Sequence, residues 1–456
     1  MSNSILYYST NYKAEKQTFS QALLKGLAPD KGLFMPEAIP QLSAEEIFAF
    51  SDMEYYQIAY EVIRKFLKGE IADDELMELV KDAYDFDVPL ENVYEKKYVM
   101  RLDQGPTASF KDFAARMMGR LMQYYLKKEN KKMLILTATS GDTGSAIANA
   151  FYGLDNIKVV VLFPEKEVTN RQRKQMTTLG KNVQIISVDG KFDDCQALVK
   201  EAFSDPDLNY LDLSSANSIN IGRLIPQIVY YFWAFAKLRK GLPDDRITFA
   251  VPSGNFGDMM GAVFAVHMGL PVEKLVIATN SNDEFPKYLE TGDYQTIVPS
   301  VNCISSAMNV GHPSNIARLI TLYGGKMDEK GHIYETADLE KLRKDLFGVS
   351  VNDEQTRQTI KEAYEQYQCL LEPHGAVGWN GLMHYLEQHP EKNDPDAVFV
   401  SLETAHPAKF PEEINRILNI DPLLPPSLEN LDGKPEFVDT IALNYHAFKQ
   451  YLMDKY

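Results

Sequence analysis

The sequence predicts an α/β fold built on two mainly parallel sheets, preceded by a helical N-terminal region. Three observations predict it. From residue 132 onward, short apolar runs alternate with amphipathic stretches, the beat of βαβ units whose sheets are covered on both faces. Glycine-rich turns stand where several of these runs give way to helices. Residues 1–95 lack such runs and carry helical periodicity instead.

In chain order, the apolar residues of 44–50 and 55–67 recur at i, i+3, i+4 spacing, and 26–36 is a loop punctuated by glycine and proline. A linker is expected at 85–95, closing an N-terminal unit of residues 1–95. The segment 107–126 reads as a turn and a helix. Ser109 is the expected N-cap, Asp112 completes a capping box, and Phe113, Met117, Leu121 and Tyr124 face a core. Strands are expected at 132–139, 157–163, 183–188, 210–213, 247–251, 275–278 and 397–402. Helices are expected at 142–151, 170–179, 193–203 and 219–238, the last kinked or broken at Pro226. One unit then spans 131–215, and a larger one is assembled from 96–130 and 216–420. Residues 421–456 form an irregular tail ending in a helix.

At 456 residues and 45% apolar content, the chain can bury a large core. A formal charge of −17 argues against nucleic acid or an acidic membrane as partner, so anions are taken only in a local pocket. The three cysteines are far apart, and the histidines show no i, i+4 pairing, so neither a disulfide framework nor a metal is expected. No basic leader and no run of 18 apolar residues is present, which leads to the expectation of a soluble cytoplasmic protein.

Lys111 falls in the first turn of its helix, where the dipole disfavours a cation by roughly 0.3–1 kcal/mol. A neutral amine or an imine suits the position, as a nucleophilic lysine requires; the alternative is an exposed lysine that merely begins a helix. Ser253-Gly-Asn-Phe-Gly-Asp258 follows a strand, and its glycines let a bound group approach free helix N–H groups, the makings of a phosphate cup. It is neither a Walker A loop nor G-x-G-x-x-G. The run Thr139-Ser140-Gly141-Asp142-Thr143 suits a carboxylate or small anion, and Asp142 or Thr143 would also cap the helix. In the segment 216–223, Ser218 and Asn220 offer neutral donors and Arg223 a fork suited to phosphate. Thr404, at the end of the last strand, is a better ligand candidate than His406. Each turn alone is also compatible with a plain helix start.

Together, Pro106-Thr-Ala-Ser-Phe-Lys-Asp112, Ser140-Gly-Asp-Thr-Gly-Ser145, Asn217-Ser-Ile-Asn-Ile-Gly-Arg223, Ser253-Gly-Asn-Phe-Gly-Asp258 and Glu403-Thr-Ala-His-Pro-Ala-Lys409 resemble the threonine synthase family, of the longer bacterial and fungal type. Tyr8-Ser-Thr10 and the loop 26–36 resemble its N-terminal segment. The resemblance runs in order from residue 8 to about 410. It implies a tryptophan-synthase-β-like (fold type II) pyridoxal-phosphate enzyme, a lyase acting on O-phospho-L-homoserine and releasing L-threonine and phosphate. On this resemblance Lys111 carries the cofactor as an imine. Ser253, Gly254, Asn255, Phe256 and Gly257 hold its phosphate, with Asp258 at the rim. Thr404 bonds the ring nitrogen, and a hydroxyl there is expected to leave that nitrogen largely unprotonated. Ser140, Gly141, Asp142 and Thr143 grip the substrate carboxylate, while Ser218, Asn220 and Arg223 take its phosphate. No metal is implied. Two departures from the family pattern stand out: Lys31 where a second glycine is commoner, and Asp258 where asparagine is frequent. The competing readings are another pyridoxal-phosphate lyase of this fold, namely a phosphohomoserine phospho-lyase or a hydroxy-amino-acid dehydratase, or a non-catalytic cofactor-binding protein.

Overall fold

The computed structural model describes residues 4–139, 141–239 and 246–456. The larger sheet has six strands in the order Leu346–Ser350, Val272–Thr279, Ile247–Pro252, Val398–Glu403, Lys97–Arg101 and Leu90–Tyr94. All neighbours are parallel except the last pair, which is antiparallel. The smaller sheet has five parallel strands in the order Val438–Ile441, Val183–Val188, Ile157–Pro164, Met133–Ala138 and Leu213–Ser214. Every residue of Ile247–Pro252 and of Met133–Ala138 is buried. Helices cover both faces, so these central strands are continuously apolar rather than alternating.

The helix Lys111–Lys128 packs against both Asp142–Phe151 and Ile221–Leu224. Phe113, Met117 and Leu121 are buried as their spacing requires. The N-terminal helices share the same core: Ile58 and Val62 of Tyr55–Phe66 join Phe232 and Phe264 in one cluster. In the loop before strand Phe34–Pro36, Lys31 has φ of 67°, the left-handed conformation that explains why glycine is commoner there.

The structure corrects some of the expected elements and adds to others. The expected linker at 85–95 contains the edge strand Leu90–Tyr94. The tail ends in the expected helix but also contains a strand. Val438–Ile441 extends the smaller sheet, and Tyr445–Lys455 buries Phe448 and Leu452 against Cys195, Leu198 and Val199. Residues 206–211 form a 3-10 turn rather than a strand, leaving only Leu213–Ser214 to pair. The stretch 219–238 is broken at Pro226 as expected, into Ile221–Leu224, a 3-10 turn Ile225–Ile228 holding Pro226, and Val229–Leu238. The strand Leu346–Ser350 has no counterpart in the sequence reading, because its five residues follow a charged helix and include Gly348.

Candidate active site

The four turns singled out above lie at the carboxyl ends of parallel strands, where open α/β sheets receive ligands. Lys111 is placed by a short zipper. The Phe110 amide donates to the Thr404 carbonyl at 2.9 Å, the His406 amide to the Ala108 carbonyl at 3.0 Å, and Ser109 bridges Ala405. This docks the start of the helix onto the end of strand Val398–Glu403. Ser109 does not cap the helix: its hydroxyl is buried without a partner. Asp112 turns back instead and accepts from the Thr107 amide at 2.8 Å and the Thr107 hydroxyl at 2.6 Å. Burial pushes the Lys111 amine below its ordinary value; Asp142 opposes the shift, and Lys409 and Arg223 reinforce it.

Ser140 lies outside the described residues. Gly141 has φ of 135°, closed to other residues, and a Cβ there would come within 2.6 Å of Gln172. The N-cap of helix Asp142–Phe151 is Gly141, and neither Asp142 nor Thr143 caps it; the Thr139 hydroxyl accepts from the Gly141 amide at 3.0 Å and the Gly144 amide at 2.7 Å. The Asp142 carboxylate is engaged by Lys409 Nζ at 2.7 Å and by Gln172 Nε2 at 2.8 Å. Burial alone would raise its pKa, but the Lys409 and Lys111 ammonium groups hold it well below the usual carboxylate range. An anion held this way repels a second carboxylate, so the Asp142 side chain is corrected from ligand to counter-ion. What this turn offers an incoming anion is the amides of Asp142 and Thr143 and the half-buried Thr143 side chain.

Helix Gly257–His267 begins at Phe256, whose φ of 62° turns the chain sharply. Among the described residues, the backbone amides of Gly254, Asn255, Phe256 and Gly257 meet no acceptor. Four free N–H groups at a helix start form an anion cradle. A Cβ on Gly257 would meet nothing closer than 3.5 Å, whereas one on Gly254 would press on the Ala307 carbonyl at 2.9 Å. The Ser253 hydroxyl donates to the Val251 carbonyl at 3.0 Å, so it braces the turn. Asn255 is tied to the neighbouring loop: its carbonyl accepts from Asn315 Nδ2 at 2.9 Å. Asp258 is corrected from rim residue to buried acceptor, since both the Tyr230 and Tyr231 hydroxyls donate to its Oδ1. Burial raises its pKa to about 6 against the pull of these two hydrogen bonds.

Arg223 is buried; its Nη1 donates to the Ala216 carbonyl at 2.7 Å, and its Nε has no partner. Burial lowers its pKa to about 10, with Asp112 the nearest compensating charge. An unmet donor on a buried guanidinium is costly unless an anion arrives. Asn220 is corrected: its amide nitrogen donates to the Leu23 and Ser215 carbonyls and its oxygen caps the Gly222 amide, so no polar atom is left for a ligand. Ser218 stays half-buried, with its hydroxyl 3.4 Å from that of Ser314. Its carbonyl accepts from Asn315 Nδ2 and Arg318 Nη1, which hold this loop beside the cradle.

Family models match along the chain: threonine synthase N terminus over residues 6–84, pyridoxal-phosphate dependent enzyme over 88–403, and threonine synthase, C-terminal, over 376–452. Threonine synthase of Haemophilus influenzae is 38% identical over 98% of this chain and 99% of its own. The chain belongs to the threonine synthase family. Among solved structures, pyridoxal-phosphate-bound threonine synthase from Brucella melitensis superposes with a TM-score of 0.91 at 36% identity, covering 99% of both chains. The yeast enzyme superposes with a TM-score of 0.91 at 31% identity, covering 98% of both. Members of the threonine synthase family are pyridoxal-phosphate-dependent lyases, and the residues here fit that cofactor. A desolvated amine, a cradle of unmet amides and a buried hydroxyl at Thr404 stand around one cleft end of the larger sheet. Among the described residues, no helix is long and apolar enough to cross a membrane.

Lys409, Gln172, Glu372 and Asn315 also take part in these contacts, although none of them is singled out above. Glu372 carried a readable signal, because an acidic residue before Pro373 marks a helix N-cap with proline at the first position, and it does cap Pro373–Gln388. Lys409 lay within a quoted motif, but nothing local pairs it with Asp142.

Proposed function

We propose that this threonine synthase family member converts O-phospho-L-homoserine and water into L-threonine and phosphate, as a soluble enzyme of the cytoplasm. The observation that carries the reading is the buried, incompletely satisfied Arg223 guanidinium, an anion site additional to the amide cradle of Gly254–Gly257. A cofactor phosphate needs one anion site; a phosphorylated substrate needs a second.

Pyridoxal phosphate, when bound, supplies an aldehyde that links to amines and a ring that accepts electrons. Lys111 is the residue that would hold it, and its free amine would serve as the base at the substrate Cα. Its depressed pKa keeps a lone pair available for that proton and lets it return the proton at the end. The Gly254–Gly257 amides would hold the cofactor phosphate, and Thr404 would serve the ring nitrogen. The Asp142 and Thr143 amides, with the Thr143 hydroxyl, hold the substrate carboxylate at a helix N-terminus. Arg223 and Ser218 bind the substrate phosphate and carry its charge as it leaves Cγ. Lys409 holds the Asp142 carboxylate in place, and the charge of Asp142 acts on the Lys111 amine.

The test is turnover of phosphohomoserine with threonine and phosphate both quantified. Equal yields support the reading. Phosphate released with a keto acid in place of threonine would make the protein a phospho-lyase.

A further inference from the structure

We propose that Arg318 is a positioning residue that supplies the cofactor-phosphate cradle with the positive charge its own residues lack, relayed through Asn315 and the Asn255–Phe256 peptide. The inference rests on the reading that the Gly254–Gly257 amides hold that phosphate. Residues 253–258 include no cationic side chain. A phosphate monoester carries about −1.5 to −2 charges at neutral pH, whereas a helix N-terminus offers the equivalent of about +0.5. The cradle therefore needs a cation from elsewhere in the fold.

Arg318 lies on helix Ile316–Leu322 and is fully buried. Among the described residues it has no carboxylate partner. Its Nε and Nη2 donate to the Phe34 carbonyl at 3.1 and 3.0 Å, and Nη2 donates also to the Ile219 carbonyl at 2.7 Å. The buried Lys97 and Lys409, by contrast, each hold a carboxylate, at 2.6 and 2.7 Å. A cation taken out of water without a counter-ion is costly, and an anion that arrives with a ligand offsets that cost. The route to the cradle runs through Asn315, which is also buried. Arg318 Nη1 donates to Asn315 Oδ1 at 2.5 Å, and Asn315 Nδ2 donates to the Asn255 carbonyl at 2.9 Å. The Asn315 backbone amide reaches the same carbonyl at 3.3 Å. The Asn255–Phe256 peptide is trans, so its N–H points away from its carbonyl, and that N–H is one of the four unmet amides of the cradle. Guanidinium, side-chain amide and peptide form one chain of hydrogen bonds, each polarising the next, and the Phe256 amide becomes a stronger donor. A Cβ on Gly257 would stand 4.0 Å from Asn315 Nδ2, which places the relay against the cradle. The two bonds to Phe34 fix the guanidinium on strand Phe34–Pro36 and so fix where the charge stands.

The test compares pyridoxal phosphate with pyridoxal, which carries the same aldehyde and lacks the phosphate. Both are titrated into apoprotein and read by absorbance, and the ratio of the two affinities measures phosphate selectivity. Arg318→Gln and Asn315→Ala should each lower that selectivity about tenfold, with the affinity for pyridoxal unchanged. Arg318→Lys keeps the charge and should retain most of the wild-type selectivity. Equal losses on both ligands would assign Arg318 to the fold, and wild-type selectivity in Arg318→Gln or Asn315→Ala would show that no charge is relayed; either result overturns the proposal. A loss in Arg318→Lys as large as that in Arg318→Gln overturns it too, because charge is then not what acts. Gly257→Val separates the proposal from the reading beneath it. If that variant keeps wild-type selectivity, the phosphate does not sit in the cradle, and reading and proposal fall together. If Arg318→Gln does not fold, Asn315→Ala and Arg318→Lys still decide.

Discussion

Lys409→Met isolates the buried charge pair at the heart of the site. Lys409 Nζ lies 2.7 Å from the Asp142 carboxylate and 2.8 Å from the Thr107 carbonyl, and both side chains are buried. Methionine fills a similar volume and leaves Asp142 charged without its principal partner. Breaking a buried pair on one side costs about 3–5 kcal/mol. The Thr107 carbonyl adds little, at most about 1 kcal/mol, because Gln175 Nε2 also donates to it at 3.1 Å. In Lys409→Met with Asp142→Asn no charge is stranded, so that double variant should return to within about 1–2 kcal/mol of wild type. The pH dependence has a definite sign. The folded-state pKa of Asp142 is depressed, so its stabilisation is present above the unfolded value of about 3.9 and is lost as pH falls through the lower folded value. Lys409→Met lessens that depression, so the gap between variant and wild type should narrow on acidification below about pH 4. Urea unfolding at several pH values reads all of this. A single variant within about 1 kcal/mol of wild type at neutral pH, or a double variant no more stable than the single, would refute the assignment of the pair as a structural counter-ion system.

Borohydride reduction of the holoenzyme followed by peptide mapping should place the label on Lys111; label on another lysine would remove it from the centre of the site. Arg223→Ala should keep the cofactor and lose about 2–4 kcal/mol of transition-state stabilisation on phosphohomoserine, read as kcat/KM, with any activity on unphosphorylated serine or threonine nearly unchanged. Equal loss on both substrate types would assign Arg223 to the fold instead. Gly257→Val adds atoms where a Cβ meets Ser218 and Gln227 only at 3.5 Å, so the chain should fold while cofactor occupancy, measured by absorbance, collapses. For Asp258, whose pKa is raised to about 6, the folded state binds the proton more tightly, so this group's contribution to stability falls as pH rises from about 4 to about 6. Asp258→Asn should therefore gain on wild type across that window by on the order of 3 kcal/mol, with no further change above it; parallel curves would exclude the effect.

What the sequence determined by itself is what local pattern carries. Apolar runs of Met133–Ala138 and Ile247–Pro252 announced parallel strands because both faces are buried, and the glycine turns after them marked helix starts because only there are N–H groups free. Lys111 at a first helical position and the ordered motifs from residue 106 to 409 were legible for the same reason: each is a few residues long and needs no distant partner. The tertiary structure decided which polar atoms remain available. Asp142 looked like a ligand until Lys409, 267 residues away, proved to hold it. Asn220 looked free until its amide was found on Leu23, and Asp258 until two tyrosines were found on its carboxylate. The tail strand Val438–Ile441 likewise has no apolar run of its own and is a strand because an unpaired edge at Val183–Val188 receives it. In a low-dielectric interior a polar side chain must find a partner or carry a large penalty, and long-range topology, not local spacing, determines which partner that is.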